Sequence, residues 1–197
     1  MSAISYIGEM LSISGQLFSA PFRFPELLWI LVPVYLMWIF TELFQEKKGT
    51  SLGNAITNGV VLIWAGVDWL RTLAGTTQWF EKTIYFYAKI GISALIIIYG
   101  ALVIIFGLKM VKGVKVLGKI RMIAYFIIFF TPVIYGKIDL SLQLGLAVLL
   151  FAPIFYLVIG LITRMIPSPK TYEEPILEPS PLDSGPMENL KNVFESK

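Results

Sequence analysis

The residues best suited to chemistry are two charged side chains inside long apolar stretches of the chain. Asp68 lies in the segment 54–73, and Lys89 lies in the segment 83–108. Ionisable groups at membrane depth are costly unless they are paired, so we predict an ion pair between Asp68 and Lys89, with Arg71 as a third member. Such a pair either locks two helices together or forms a proton- or ion-coupled site. We favour the static lock, because transporters usually carry more intramembrane polar groups.

A catalytic interpretation rests on Lys89 and Ser93, which stand four residues apart. That spacing would place them on one face of a helix, where a desolvated lysine could act as the base for a serine nucleophile. No oxyanion donor, second acid or phosphate-binding glycine loop accompanies them in the sequence. A lone serine in a membrane helix more often bonds to its own backbone. We therefore expect a protein that is not an enzyme.

Composition argues against most metal and redox chemistry. The 197 residues contain no histidine and no cysteine. These two residues supply most ligands of haem, iron–sulfur, copper and zinc centres, so no cofactor and no metal site is expected. Because there are no thiols, cysteine usage says nothing about the compartment, and the topology must be inferred from charge.

The segment 54–73 carries a polar face. Its members recur at spacings of three or four, and they are Asn54, Asn58, Val61, Ala65, Asp68 and Thr72. A helix would align them, and hydrocarbon would offer their amides and carboxylate no partners. This face is therefore expected to contact protein or a water-filled cavity, and Asn54, Asn58 and Asp68 form the candidate intramembrane polar site.

Five long apolar segments must position these residues, in a chain that is 56% hydrophobic. A spanning helix needs about 20 apolar residues, so we predict an all-α, multi-pass integral membrane protein with about five transmembrane helices. The predicted spans are 25–44, 54–73, 83–108, 122–136 and 140–166. The fourth is short, and a re-entrant hairpin with the fifth is the alternative. Residues 1–24 form a leader or an interfacial amphipathic segment, residues 25–166 the bundle and residues 167–197 a tail.

Basic residues set the predicted orientation. Nine fall on one side of the five spans and four on the other, so the richer side is assigned to the cytoplasm. The N-terminus is then outside and the C-terminus is cytoplasmic. The loop after the third span carries five basic residues, which we predict to contact anionic lipids of the inner leaflet: Lys109, Lys112, Lys115, Lys119 and Arg121. No aromatic residue interleaves with its lysines, so nucleic acid is not expected as a partner.

Composition changes after residue 166. Residues 167–197 contain six prolines, six acidic residues and three lysines, which is typical of an extended segment. Near its end four apolar residues recur at helical spacing, and they are Met187, Leu190, Val193 and Phe194. A helix of this length is stable only against a partner, so we predict a short amphipathic docking helix.

These features favour a non-enzymatic structural or assembly subunit of a larger membrane complex, a scaffold that docks other subunits through its bundle and its tail. The alternative is a small transporter or channel component that uses the polar face of the second span. The two functions differ in whether water crosses the bundle. A dry interior in which Asp68 is fully paired favours the assembly subunit.

Overall fold

The computed structural model describes residues 3–45, 50–75 and 83–166. These residues form helices α1 to α7 in chain order, with bounds Ala3–Arg23, Leu28–Phe40, Leu52–Ala74, Ile84–Leu108, Val114–Leu117, Ile120–Ile134 and Leu142–Met165. A 3₁₀ turn at Pro25–Leu27 precedes α2, and a π-helical turn at Thr41–Gln45 follows it. No strand occurs in the described ranges, so the prediction of an all-helical fold is confirmed for them.

Among the described residues, three helices are long and apolar enough to cross a membrane. They are Pro25–Phe44, Ile84–Leu108 and Leu142–Met165. This finding supports the prediction of a membrane protein. Helix α3 is long enough, with 23 residues, but amides, glycines and charged residues lower the apolar character of its sequence. Helix α6 is apolar but has only 15 residues.

Serine and threonine residues mark where three of the long helices begin, and a glycine follows the end of α6. Ser51, Thr83 and Ser141 precede α3, α4 and α7, and each side chain accepts a hydrogen bond from a backbone N–H in the first turn. These are N-caps, which satisfy donors that have no partner inside the helix. Helix α6 ends at Ile134 and is followed by Gly136, which adopts φ 70°. The Lys137 N–H then reaches the Pro132 carbonyl over 2.9 Å, as in a Schellman motif.

The long helices alternate in direction, so the bundle has two ends. The end of α2 meets the start of α6, where Glu42 bonds to Arg121. We call this the Arg121 end. The last turn of α3 meets the last residues of α6, where Asp68 bonds to Tyr135. We call this the Asp68 end, and α6 runs from the first to the second.

Helix α6 occupies the centre of the bundle. Twelve of its fifteen residues are buried, and Ile123, Ile127 and Phe129 are fully enclosed. Residues of α1, α2, α3 and α7 surround it in one apolar core. A helix covered on all sides by protein need not match the ~30 Å thickness of a hydrocarbon layer, which accounts for the short fourth segment.

Helices α3 and α4 pack very closely. A β-carbon on Gly100 would lie 2.6 Å from the Gly59 carbonyl oxygen, and one on Gly66 would lie 2.4 Å from the Ile97 side chain. Distances this short exclude any side chain larger than hydrogen. Small residues bring helix backbones together in membrane bundles, where packing replaces the hydrophobic drive for association.

Helix α1 runs antiparallel to α7. Ser14 donates a hydrogen bond to the Ala147 carbonyl over 3.4 Å, and further toward the start of α1, Ile7 and Leu11 share a cavity with Ile154. The last turn of α1 reaches the Asp68 end, where Phe24 lies under the Lys137 ammonium. Helix α1 therefore lies along the bundle over most of its 21 residues, about 31 Å.

Candidate functional site

The Asp68 carboxylate is buried and has partners on both oxygens. Arg71 donates to Oδ1 from Nη2 over 2.6 Å and from Nε over 3.2 Å. The Tyr135 hydroxyl donates to Oδ2 over 2.6 Å. We call Asp68, Arg71 and Tyr135 the Asp68 cluster. These hydrogen bonds satisfy both oxygens of the buried carboxylate and tie α3 to the end of α6.

Lys89 is not the ion-pair partner of Asp68 within the described part of the chain. Arg71, predicted as a third member of the pair, takes that place instead. Lys89 is buried on α4, and the Ser93 hydroxyl donates to the Lys89 backbone carbonyl over 2.9 Å. This is the ordinary back-bonding of a serine in a helix, and it does not place the hydroxyl on the lysine ammonium as a catalytic pair requires.

The polar face of α3 is used for packing. The Asn58 amide donates to the Gly118 carbonyl over 2.7 Å, which holds the loop before α6 against α3. Asn54 lies in the first turn, where its backbone N–H donates to Ser51 Oγ over 3.0 Å. Farther along the helix, the Trp69 indole N–H donates to Thr131 Oγ1 over 3.1 Å. The Asn58 amide and the Asp68 carboxylate thus meet polar groups of the protein itself.

Arg121 forms a second buried cluster, which sequence reasoning missed. Its guanidinium donates to both oxygens of Glu42, and its Nη1 donates to the Tyr156 carbonyl over 3.3 Å. The same group stacks over the Tyr156 ring at 5.6 Å. We call Glu42, Arg121 and Tyr156 the Glu42 cluster. Glu42 belongs to the π-helical turn after α2, and such turns are frequent at functional positions.

Burial of Arg121 contradicts its predicted contact with lipid head groups. Its guanidinium is buried in the protein because Glu42, in the turn after α2, lies beside the start of α6 and compensates its charge. The four lysines of this loop do not lie on one continuous helix, because α4 ends at Leu108, Met110 has φ 56° and α5 has only four residues. Lys109, Lys112 and Lys115 are exposed, and Lys119 is half-buried.

Helix α1 turns its polar side away from the bundle. Met10, Ser14, Leu17 and Ala20 are buried against it. The opposite side carries residues at steps of four, three, four and three, all exposed or half-buried, which we call the α1 stripe: Ser5, Glu9, Ser12, Gln16 and Ser19. Beside the stripe, β-carbons on Gly8 and Gly15 would have nothing within 4 Å. The α1 stripe is thus accessible to another molecule.

The sequence contained a signal for the α1 stripe, because its spacing is helical and its residues are polar. The residues of the predicted docking helix, Met187, Leu190, Val193 and Phe194, lie outside the described part of the chain.

No family model, curated protein or solved structure matches this chain.

Proposed function

We propose that the chain is a non-enzymatic assembly subunit of a larger membrane complex and that the α1 stripe is its docking surface for another subunit. The observation that carries this proposal is the position of the stripe. Helix α1 lies along α7, one of the three helices apolar enough to span, yet its outward side carries a carboxylate and an amide.

The depth of Glu9 makes the argument specific. It lies between Ile7 and Leu11, which share a cavity with Leu150 and Ile154 near the middle of α7. If α7 spans the membrane, Glu9 lies close to the bilayer centre. Carboxylates there cost about 2.5–3.5 kcal/mol on insertion scales, and they commonly face protein or a water-filled cavity. A partner helix carrying donors would remove this cost.

Close approach of a partner helix is sterically possible. Gly8 and Gly15 flank the stripe and leave open space in front of the α1 backbone. Serine and glycine surfaces let membrane helices pack tightly, and hydrogen bonds across such contacts contribute about 0.6–2 kcal/mol each. The engaged polar groups of α3 also favour assembly over the transport alternative, because Asn58 and Asp68 already have partners inside the protein.

This function implies an arrangement with six crossings, α1 to α4 together with α6 and α7. The Arg121 end, with the lysines that follow α4, would then face the cytoplasm. The segment before α1 and the tail after α7 would both lie on that side. The predicted five-span arrangement places them on opposite sides, so the two arrangements can be distinguished.

Two glycine variants test the docking surface. Gly15→Leu adds bulk beside the α1 stripe, and Gly91→Leu adds the same bulk to the exposed side of α4, where a β-carbon also has nothing within 4 Å. Both variants should insert and fold normally. In mild detergent, the wild-type chain and Gly91→Leu should migrate at the mass of a complex and retain their partner, whereas Gly15→Leu should lose most of it.

A wild-type chain that migrates as a lone protomer would count against the proposal. Equal retention of partner by both variants would move the interface away from α1. Thermal unfolding of each purified variant separates these outcomes from misfolding.

A further inference from the structure

A cavity of about 600 Å³ opens between α2 and α3 near the Asp68 end, lined by Trp29, Trp64, Val67, Asp68 and Arg71. Its size falls within the range of ligand sites, about 300–1,000 Å³. It belongs neither to the α1 stripe nor to the Glu42 cluster. Its walls are mainly apolar, and its charged groups lie together at one end.

The α3 residues Trp64, Val67 and Arg71, which line the cavity, belong to an exposed face that continues beyond the cavity to Val60. Val60, Trp64, Val67 and Arg71 follow one another at steps of four, three and four, and all are exposed. From Val60 to Arg71, a rise of about 16 Å along the helix, the face changes from apolar to cationic. A ligand that lies along this face must have an extended apolar part and a polar head group at the Asp68 end.

The polar end of the cavity offers donors rather than acceptors. Both Asp68 oxygens are already engaged, and this residue is only 5% exposed. The Arg71 side chain is 67% exposed, and the described hydrogen bonds use only its Nε and Nη2. An arginine has five N–H donors in a planar geometry that matches phosphate oxygens, and the pair with Asp68 uses only two of them.

We propose that this cavity binds one anionic phospholipid, with its phosphate on Arg71 and an acyl chain along Val67, Trp64 and Val60. Trp29 forms the α2 wall near the head group, a position that suits an amphipathic indole ring. The site lies at the opposite end of the bundle from the lysine loop. It rests on insertion of the bundle into a membrane and not on the partner of the α1 stripe.

Lipid titration of the delipidated full-length protomer tests this site by native mass spectrometry. The probes are phosphatidylglycerol and phosphatidylcholine with identical acyl chains, and glycerol phosphate as the head group alone. Wild-type protein should bind the first phosphatidylglycerol about tenfold more tightly than phosphatidylcholine, a difference of about 1.4 kcal/mol. Glycerol phosphate should not compete at comparable concentration, because it lacks the acyl chain.

Two variants locate the binding. Val67→Trp fills the cavity while it keeps both partners of the Asp68 to Arg71 pair, and it should abolish the preference for phosphatidylglycerol. Its control, Val158→Trp, adds the same bulk at an exposed valine of α7 and should leave the preference unchanged. Arg71→Lys keeps the charge that balances Asp68 but loses the planar guanidinium that binds phosphate with two hydrogen bonds. It should reduce the preference for phosphatidylglycerol severalfold. If Arg71→Lys fails to fold, the Val67 variant decides.

Several results would overturn the proposal. Equal binding of the two lipids would remove the anionic preference, and an unchanged preference in Val67→Trp would place the lipid elsewhere. Competition by glycerol phosphate would indicate a free-anion site. Because every measurement uses the lone protomer, none depends on whether the α1 stripe has a partner.

Discussion

Two ion pairs connect the same two helical segments, and their environments differ. At the Arg121 end, Glu42 follows α2 and Arg121 begins α6, and both side chains are buried. At the Asp68 end, Glu26 precedes α2 and Lys137 follows α6, and their side chains are 46% and 30% exposed. The chain thus provides a natural comparison between a buried and an exposed pair. Only in the buried pair does removal of one partner leave the other charged group without access to water.

Arg121→Met should be strongly destabilising, because the Glu42 carboxylate would remain buried without its donor. Breaking a buried pair costs about 3–5 kcal/mol, whereas replacing both partners by apolar residues is often neutral or stabilising. The double change Glu42→Met with Arg121→Met should therefore recover much of the loss. Denaturant unfolding of the purified variants in detergent, arranged as a double-mutant cycle, measures the coupling.

Lys137→Met is the matched control for this cycle. Its partner Glu26 is largely accessible to solvent, and exposed pairs contribute about 0–1 kcal/mol. Similar losses for Arg121→Met and Lys137→Met, or simple additivity in the Glu42 cycle, would mean that the buried pair has no special role in stability.

The partners of charged residues could not be read from the sequence alone. Asp68 was predicted to be buried and paired, but its hydroxyl donor, Tyr135, lies 67 residues away on another helix. Glu42 and Arg121 were missed because each stands at the end of an apolar segment, where a charge is normally solvated. Such contacts depend on how each helix is rotated about its axis. One sequence does not contain that information for helices whose apolar residues surround the whole circumference.

At the scale of elements, α3 and α4 pack so closely at their glycines that an added β-carbon would force neighbouring groups to shift. Gly59 and Gly100 face each other backbone to backbone, and Gly107 meets the Ile56 side chain. Glycine weakens a helix by about 0.8–1.0 kcal/mol relative to alanine, so its use here needs a compensating gain. That gain is the close packing of two helices, in which many small dispersion contacts accumulate.

Gly100→Ala should destabilise the bundle although alanine is the better helix former. The new methyl group would meet the Gly59 carbonyl at 2.6 Å, and overpacking of this kind costs about 1–3 kcal/mol. Gly91→Ala on the same helix meets nothing within 4 Å and should be neutral or slightly stabilising. Thermal unfolding of both variants tests the difference. An equal or opposite ranking would show that α3 and α4 are not held at this distance.

The helices themselves were largely predictable. The apolar segments 54–73 and 83–108 correspond to Leu52–Ala74 and Ile84–Leu108, because serine and threonine caps and charged loops mark their ends in the sequence. The exception is α1. The sequence predicted a leader or an interfacial segment there, and the structure shows a 21-residue helix whose buried residues include Met10, Ser14 and Leu17, with Ser14 bonded to α7. An amphipathic pattern shows which side is apolar but not whether lipid or protein covers it.

At the scale of the whole molecule, the proposed six-span arrangement differs from the predicted five-span arrangement in whether α1 crosses the membrane. It lies antiparallel to α7, and its last turn shares the Asp68 end with Lys137 and Glu26. A helix of about 31 Å in this position reaches across a hydrocarbon core of ~30 Å. The residues before α1 should therefore lie on the same side as the tail.

Single cysteines in this cysteine-free chain test that arrangement. Ser2→Cys precedes α1, Ser184→Cys lies in the tail, and Asp139→Cys lies at an exposed position at the Asp68 end. With an impermeant maleimide added to intact cells, only Asp139→Cys should react, and the other two should react after permeabilisation. Reaction of Ser2→Cys together with Asp139→Cys would restore the five-span arrangement with α1 outside. The α1 stripe would then face water, Glu9 would need no partner at membrane depth, and the docking proposal would lose its physical basis.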